Sequence, residues 1–436
     1  MTTLVPRSWY AGPIFGWPVI LACFVGMFAT IGPLIYAVYG LFVIELEAEF
    51  GWSRKDMAFA LTIYSLTNAA ANPPCGLLID RFGVRRVLIP SLALAGFLLC
   101  ATGMLVSELW HLILGLSLIS IGGIATNSIS FTRTITAWFD RRRGLIIGIA
   151  SAATGVGVAV FPKLTQQVIA AFDWRAGFIF LGLVFLVFLI PVVSLLMRND
   201  PADVGLKPDG AGAGTGEQTA TLPNDEGLTV MEALRTKAFW LLLISIGLAT
   251  FGLWGLLPHL VPLLVDRGWT VEDAAWATFA FGISMAVSRV VVGYVIDQLF
   301  APAVGAVTFM LSAIGFAMIA YGGIGWPVIV GAVLLGIGIG AEFDLLAYLV
   351  GRYFGLRAFA TIYALIFIGF LSGTSFGPLA LGWTFELTGS YDAFLPVLIA
   401  FSVIAAILFM ALGPYDQYRA RFTGATTEPA AAPAAE

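Results

Sequence analysis

Residues 51–80 read GWSRKDMAFALTIYSLTNAAANPPCGLLID, and residues 268–297 read GWTVEDAAWATFAFGISMAVSRVVVGYVID. At an offset of 217, Gly51-Trp52-Ser53 falls on Gly268-Trp269-Thr270, Asp56 on Asp273, Gly76 on Gly293 and Asp80 on Asp297. Further along, Trp174-Arg175-Ala176 meets Tyr391-Asp392-Ala393 in the same register. Chance does not hold one register over that length, so the chain carries two related units.

Each unit is a succession of apolar runs of about 20 residues, long enough to cross a bilayer as helices. The chain of 436 residues is 59% hydrophobic and 11% charged, with a mean hydropathy of +0.95. Soluble domains carry about 25% charged residues, so this surface needs a non-aqueous solvent. The runs are continuously apolar rather than alternating, which selects helices over barrel strands.

Spans are expected at 14–45, 57–79, 87–106, 109–138, 144–171 and 174–197, then at 238–265, 272–297, 301–322, 326–351, 357–387 and 391–413. The first run is too long for a signal peptide and is expected to stay as a helix. The expected fold is an all-α membrane protein of 12 transmembrane helices in two pseudo-symmetric six-helix bundles, 1–197 and 238–413. Residues 198–237, with a Gly/Ala/Thr-rich centre, read as a cytoplasmic linker, and 414–436 as a disordered cytoplasmic tail. Repeats of this kind imply an axis along the membrane normal and a site between the halves near the midplane.

Orientation follows from basic residues. With the amino terminus inside, one face holds Arg7, Arg81, Arg85, Arg86, Arg141, Arg142, Arg143, Arg198, Lys207, Arg235, Lys237, Arg352, Arg357, Arg419 and Arg421. The other holds Arg54, Lys55, Arg175 and Arg267, so both termini are expected on the cytoplasmic side of an inner membrane. A net charge of −4 without a basic stripe gives no reason to expect nucleic acid. Cys23, Cys75 and Cys100 all fall inside apolar runs and read as small core residues rather than disulfides or metal ligands. No cofactor, metal site or nucleophile–base arrangement is expected, so the chain does not read as an enzyme.

After the second span comes Gly76-Leu77-Leu78-Ile79-Asp80-Arg81-Phe82-Gly83-Val84-Arg85-Arg86. Gly76 would let another helix approach closely, Gly83 permits a tight turn, Asp80 can meet a helix N-terminus, and the arginines hold the loop at the anionic leaflet. This loop resembles the signature between helices 2 and 3 of the major facilitator superfamily. Within it the chain resembles the monocarboxylate transporter and oxalate–formate exchanger branch. That likeness rests on residues 49–54, Trp138 to Gly144, Asp173-Trp174-Arg175, His259-Leu260-Val261-Pro262 and residues 352–357. The resemblance implies secondary transport of small carboxylates by proton symport or anion exchange.

Ionisable residues inside a membrane are functional candidates by default. Arg289 stands in the place of a family arginine four residues before the helix 8 glycine, Gly293, and its guanidinium can grip a carboxylate with two prongs. A structural ion pair is the competing reading. Met285 stands where vertebrate-type members have an aspartate, and no lysine lies between Thr361 and Glu386, which argues against a dianion such as oxalate. Glu342 and Asp344 are acids well inside helix 10, about 200° apart on its circumference. Either is expected to pair with Arg133 of helix 4 as a proton-coupled inner gate, or as a static ion pair. Tyr36, Tyr39 and Asn127 are candidate neutral contacts to substrate, with packing across helices as the alternative. Lys163 reads equally as a snorkelling or a cavity residue, and His259 as a structural or a titrating one.

The sequence thus points to a secondary active transporter of a small monocarboxylate, proton-coupled and working by alternating access as a monomer in the lipid bilayer. Carboxylate exchange, efflux of an amphipathic compound and, from another class, a non-transporting membrane sensor are the alternatives.

Overall fold

A computed structural model of the chain describes residues 6–11, 15–139, 143–207, 227–296, 298–355 and 357–415. Nine of its helices are long and apolar enough to span a membrane. They are α1 (Trp17–Phe50), α3 (Val84–Leu105), α5 (Arg143–Ala171), α6 (Trp174–Leu196), α7 (Lys237–Asp266), α8 (Val271–Ile296), α9 (Ala301–Tyr321), α10 (Trp326–Phe354) and α11 (Phe359–Thr388). Three more complete the expected twelve among the described residues. α2 (Arg54–Phe82) is diluted by polar residues, α4 is split into Leu109–Gly122 and Ser128–Trp138, and α12 (Leu395–Met410) is short. The offset of 217 carries over to the helix starts: Arg54 and Val271, Val84 and Ala301, Leu109 and Trp326.

The repeated Gly-Trp-Ser/Thr motif is a helix stop followed by a helix start. Gly51 and Gly268 adopt φ of 68° and 90°, conformations that side chains resist. Ser53 Oγ then accepts from the Asp56 amide at 3.1 Å, and Thr270 Oγ1 from the Asp273 amide at 3.0 Å. Each cap satisfies a helix-start donor that would otherwise be unpaired.

The halves differ in their first and fourth helices. α1 is interrupted at Ala29–Thr30, and α4 at Gly123–Asn127. Unpaired backbone groups are costly at this depth, and side chains of α3 and α4 satisfy several of those that the interruptions free. The Ile31 amide donates to Thr126 Oγ1 at 3.4 Å, the Ala125 amide to Ser91 Oγ at 3.2 Å, and Ser130 Oγ to the Ala125 carbonyl at 2.6 Å. Their repeat mates, α7 and α10, run unbroken.

The segment expected to be a linker is folded at both ends. Residues 201–204 form a 3-10 turn, and Val230–Leu234 forms a short helix capped by Thr229. The Leu228 amide anchors it by donating to the Phe354 carbonyl at 2.8 Å. Residues 208–226 and the tail beyond 415 lie outside the described residues.

The face carrying Arg85, Arg86, Arg352 and Arg357 is called here the basic face. On the opposite face the halves are locked together. Arg54 donates to Asp266 at 2.8 Å and to the Tyr391 hydroxyl at 3.2 Å, with its guanidinium 4.0 Å from the Phe385 ring centroid. Lys55 pairs with Glu386 at 2.9 Å and Lys163 with Glu272 at 2.7 Å. Deeper, a Cβ on Gly155 would lie 2.4 Å from the Ala286 amide, and one on Gly282 2.3 Å from the Ala159 amide, so α5 and α8 touch backbone to backbone. Toward the basic face a Cβ on Gly76 of α2 or on Gly293 of α8 would meet nothing within 4 Å, so the packing between the halves does not reach that end, and the opening is called the cleft.

Candidate functional site

At about the depth of the Gly155–Ala286 contact the halves also meet through side chains, which form the floor of the cleft. Tyr36 of α1 donates to the Thr374 carbonyl of α11 at 2.7 Å, and its oxygen lies 3.1 Å from Ser65 Oγ. Its ring packs edge-on against Trp254 of α7, centroids 5.6 Å apart.

Behind Trp254 is Glu342, 1% exposed. Trp254 Nε1 donates to one of its oxygens at 3.2 Å, and the other meets the Thr250 hydroxyl, which also lies 2.6 Å from the Ile246 carbonyl. The N–H can only donate, whereas the hydroxyl can turn and accept. A proton arriving on the Thr250 side is therefore accommodated without breaking the contact to Trp254.

Arg289 of α8 is the cation whose charge acts on both Glu342 and Asp344, together with the Tyr363 phenol. Its guanidinium lies 5.4 Å from the Phe343 ring centroid. Its Nε is buried and has no hydrogen-bond acceptor among the described residues. An unpaired buried donor is expensive, and a ligand oxygen would relieve that cost. Beside it an aromatic wall, Phe343 with Phe370 at 4.8 Å and Phe367 with Phe370 at 4.7 Å, lines the approach.

The repeat offset takes Arg289 to Asn72 and Asp344 to Asn127. These two asparagines are gathered in the structure around Asn68. Asn72 donates to Asn68 Oδ1 at 3.2 Å, and Asn127 to the same oxygen at 3.4 Å. Asn68 Nδ2 is buried without an acceptor among the described residues. The N-terminal half thus presents neutral amides where the C-terminal half presents charges. Asn68, Asn72, Thr250, Trp254 and Tyr363 were not singled out from sequence, although the offset applied to Arg289 and Asp344 points to Asn72 and Asn127.

Other candidates are placed elsewhere. Tyr39 is 2% exposed and donates to the Met57 carbonyl at 2.8 Å, within its own half. Arg133 is exposed on α4. Lys163 belongs to the closed face through Glu272 and lies 4.9 Å from the Trp276 ring centroid. His259 is buried between α7 and α11, its Nε2 2.9 Å from the Pro378 carbonyl and its Nδ1 3.1 Å from the Tyr391 hydroxyl. A carbonyl only accepts, so Nε2 carries a proton.

In the loop motif, Gly83 adopts φ of 82° and makes the turn, with Asn199 packed where a side chain would stand. The Arg85 amide donates to Asn199 at 2.8 Å and its guanidinium to the Ser194 carbonyl at 2.6 Å, so this arginine ties α3 to α6 rather than facing the leaflet. Arg81 stacks on Phe82 at 5.3 Å, and Arg86 is exposed. Gly76 needs correction: a Cβ there would meet nothing within 4 Å, and the same holds at Gly293. The halves part at this face, so no helix is close enough to need the glycine. The Asp80 side chain, Asp140, Arg141, Arg142 and Asp297 lie outside the described residues.

Two six-helix bundles, closed on one face and open on the other around a buried polar cluster, define a membrane carrier. Residues 18–378 match the Major Facilitator Superfamily, as residues 242–434 do a second time. The chain belongs to that superfamily. It is 26% identical over 430 residues to monocarboxylate transporter 11 of Homo sapiens, covering 94% of this chain and 86% of that one. It is also 33% identical over 173 residues to monocarboxylate transporter 3 of Mus musculus, covering 38% and 34%. Its fold is similar to the crystal structure of a bacterial homologue of the human lysosomal transporter Spinster in an inward-facing, unoccupied conformation. There the TM-score is 0.62 at 16% identity, over 97% of this chain and 99% of that one. The resemblance to the monocarboxylate transporter branch therefore holds along nearly the whole chain.

Proposed function

We propose that the protein is a secondary active transporter of a small monocarboxylate across the cytoplasmic membrane, coupled to protons and working by alternating access. The basic face is the cytoplasmic one in this reading, and the cleft is open to the cytoplasm. The observation that carries it is Arg289, a buried guanidinium with an unpaired Nε beside the cleft, in a chain similar to proteins named monocarboxylate transporters.

Charge balance supports the proton. Arg289 with one ionised carboxyl of the Glu342/Asp344 pair is neutral, and a substrate carboxylate would make the site anionic. Uncompensated charge is costly at this depth, so an acid takes up a proton as the anion binds. The aromatic wall suits an apolar tail, and the Asn68/Asn72/Asn127 amides suit a neutral polar substituent. Trp254 joins Glu342 to Tyr36 at the cleft floor, so the acid that takes up the proton is held in place beside the contact between the halves.

The test is uptake of labelled monocarboxylates into proteoliposomes, with and without an inward proton gradient. Gradient-stimulated uptake that disappears in Arg289→Gln supports symport with Arg289 as the anion anchor. Uptake only into vesicles preloaded with substrate replaces symport by exchange. A folded protein that takes up no acid overturns the carboxylate assignment.

A further inference from the structure

A second hollow lies away from the cleft, on the outer side of the N-terminal half. α2, α3 and α4 enclose a groove of about 440 Å³, lined by Leu78, Phe82, Leu94, Ile121 and Ala125 among others, with Arg86 at one end. Leu94 and Ile121 are each 50% exposed at its mouth. They continue exposed apolar stripes, Leu94 to Phe97 on α3 and Leu114-Leu118-Ile121 on α4. These stripes are apolar and exposed along both helices, the character of a lipid-facing surface, unlike the polar cluster at the cleft.

The groove has the depth of one leaflet. Arg86 to Leu94 is eight residues of α3, about 12 Å at 1.5 Å per residue, against about 15 Å for half a hydrocarbon core. Its polar end is at the basic face, at headgroup level. Arg85 is already engaged with Ser194 and Asn199, whereas Arg86 is exposed, and Arg81 stacks on the lining residue Phe82.

The groove exists because α4 is interrupted after Gly122, which leaves the α2–α3 seam uncovered on the basic side. The matching positions of the other half differ. α10 is continuous, and a Cβ on Gly338, the mate of Ile121, would lie 2.3 Å from Ser312 Oγ, so the seam is shut at that point. The mate of Arg86 is Ala303. Opening and arginine therefore occur together at these positions of one half, and neither recurs at their mates.

We propose that this groove holds one acyl chain of an anionic phospholipid from the basic-face leaflet, its phosphate on Arg86 and Arg81. An arginine near an anionic headgroup favours it several-fold, and the apolar slot supplies the rest. The bound chain rests against Ala125, two residues from Asn127, and so supports the interruption of α4 from the lipid side. This inference does not depend on what the cleft carries.

The test uses the full chain, stripped of lipid in detergent and then given phosphatidylglycerol, phosphatidylcholine or inorganic phosphate. Retention is read by native mass spectrometry and stability by thermal unfolding. Wild type should keep one phosphatidylglycerol, about fivefold over phosphatidylcholine, and gain no stability from inorganic phosphate. Arg86→Gln should bring that ratio near one, while Arg352→Gln, elsewhere on the basic face, should leave it unchanged. Leu94→Trp should abolish retention of both lipids by filling the slot, and Ile121→Trp does the same from the opposite wall if Leu94→Trp does not fold. Equal retention of the two lipids by wild type, or an unchanged ratio in Arg86→Gln, overturns the headgroup assignment. Undiminished retention in a folded slot-filling variant overturns the groove.

Discussion

The two halves place polar groups in the middle of an apolar bundle by different means. The N-terminal half interrupts α1 and α4, patches the freed backbone with Ser91, Thr126 and Ser130, and offers neutral amides from Asn68, Asn72 and Asn127. The C-terminal half keeps α7 and α10 whole and instead places Arg289, Glu342 and Asp344 within the bundle, Glu342 buried and the other two half-buried. Broken backbone must be satisfied locally, which fixes the helices around it. Buried charges satisfy one another through side chains, which can change protonation state and partner. A duplicated scaffold thus has one wall suited to positioning and another suited to switching.

The sharpest way to break this comparison is to move the charge. Arg289→Gln should lower carboxylate uptake on the order of a hundredfold, since a buried ionic anchor contributes about 2–4 kcal/mol. Adding Asn72→Arg in that background should not restore it, because Ala125 and Asn127 provide no acid where the other half has Glu342 and Asp344. Restoration would show that the halves are interchangeable. Glu342→Gln should come next, with roughly a tenfold loss of gradient-stimulated uptake and a flattened pH profile, while exchange into preloaded vesicles persists. If Asp344→Asn alone flattens the profile, the switch is Asp344.

Gly282→Ala tests the seam between the halves. Its Cβ would collide with the Ala159 amide, so overpacking of about 1–3 kcal/mol should shift the protein away from the closed outer face. Cysteine labelling across α5 and α8 would report the change, and unaltered labelling would mean the seam is looser than described. Within the N-terminal half, Thr126→Val removes the acceptor shared by the two interrupted helices and should cost about 1 kcal/mol in thermal unfolding.

The smallest effect is expected at Asp392, in the loop between α11 and α12. The hydrogen bond from Arg267 holds its carboxyl below the usual range, so the pair adds stability above the unfolded pKa of about 3.9 and loses it as pH falls through the lowered folded value. Asp392 is largely exposed, and Asp392→Asn should cost under about 1 kcal/mol at pH 7 and progressively less as acid protonates the carboxyl. A melting temperature unchanged at pH 7 would show that solvent screens the pair completely.

Much of the fold was legible because bilayer length and capping chemistry are local. The apolar runs set twelve spans, and Gly51-Trp52-Ser53 with Gly268-Trp269-Thr270 set two helix starts that the structure reproduces. The interruptions were only partly legible: Gly122-Gly123 reads as a site of close packing and bending in helix 4, and that the helix breaks there shows only when Ser91 and Ile31 are seen to bond around it. At the candidate site, Arg289, Glu342 and Asp344 stood out because charge is rare in a membrane. Trp254 and Thr250 did not, since a tryptophan or threonine in an apolar run is ordinary until its partner is known.

By itself the sequence determined the spans, the repeat and the short list of buried charges, because each depends on composition or register along one chain. Only the tertiary structure decided which charges meet, which face is closed and where Gly76 stands. Those depend on how two bundles tilt against each other, and a carrier must leave that tilt free to change.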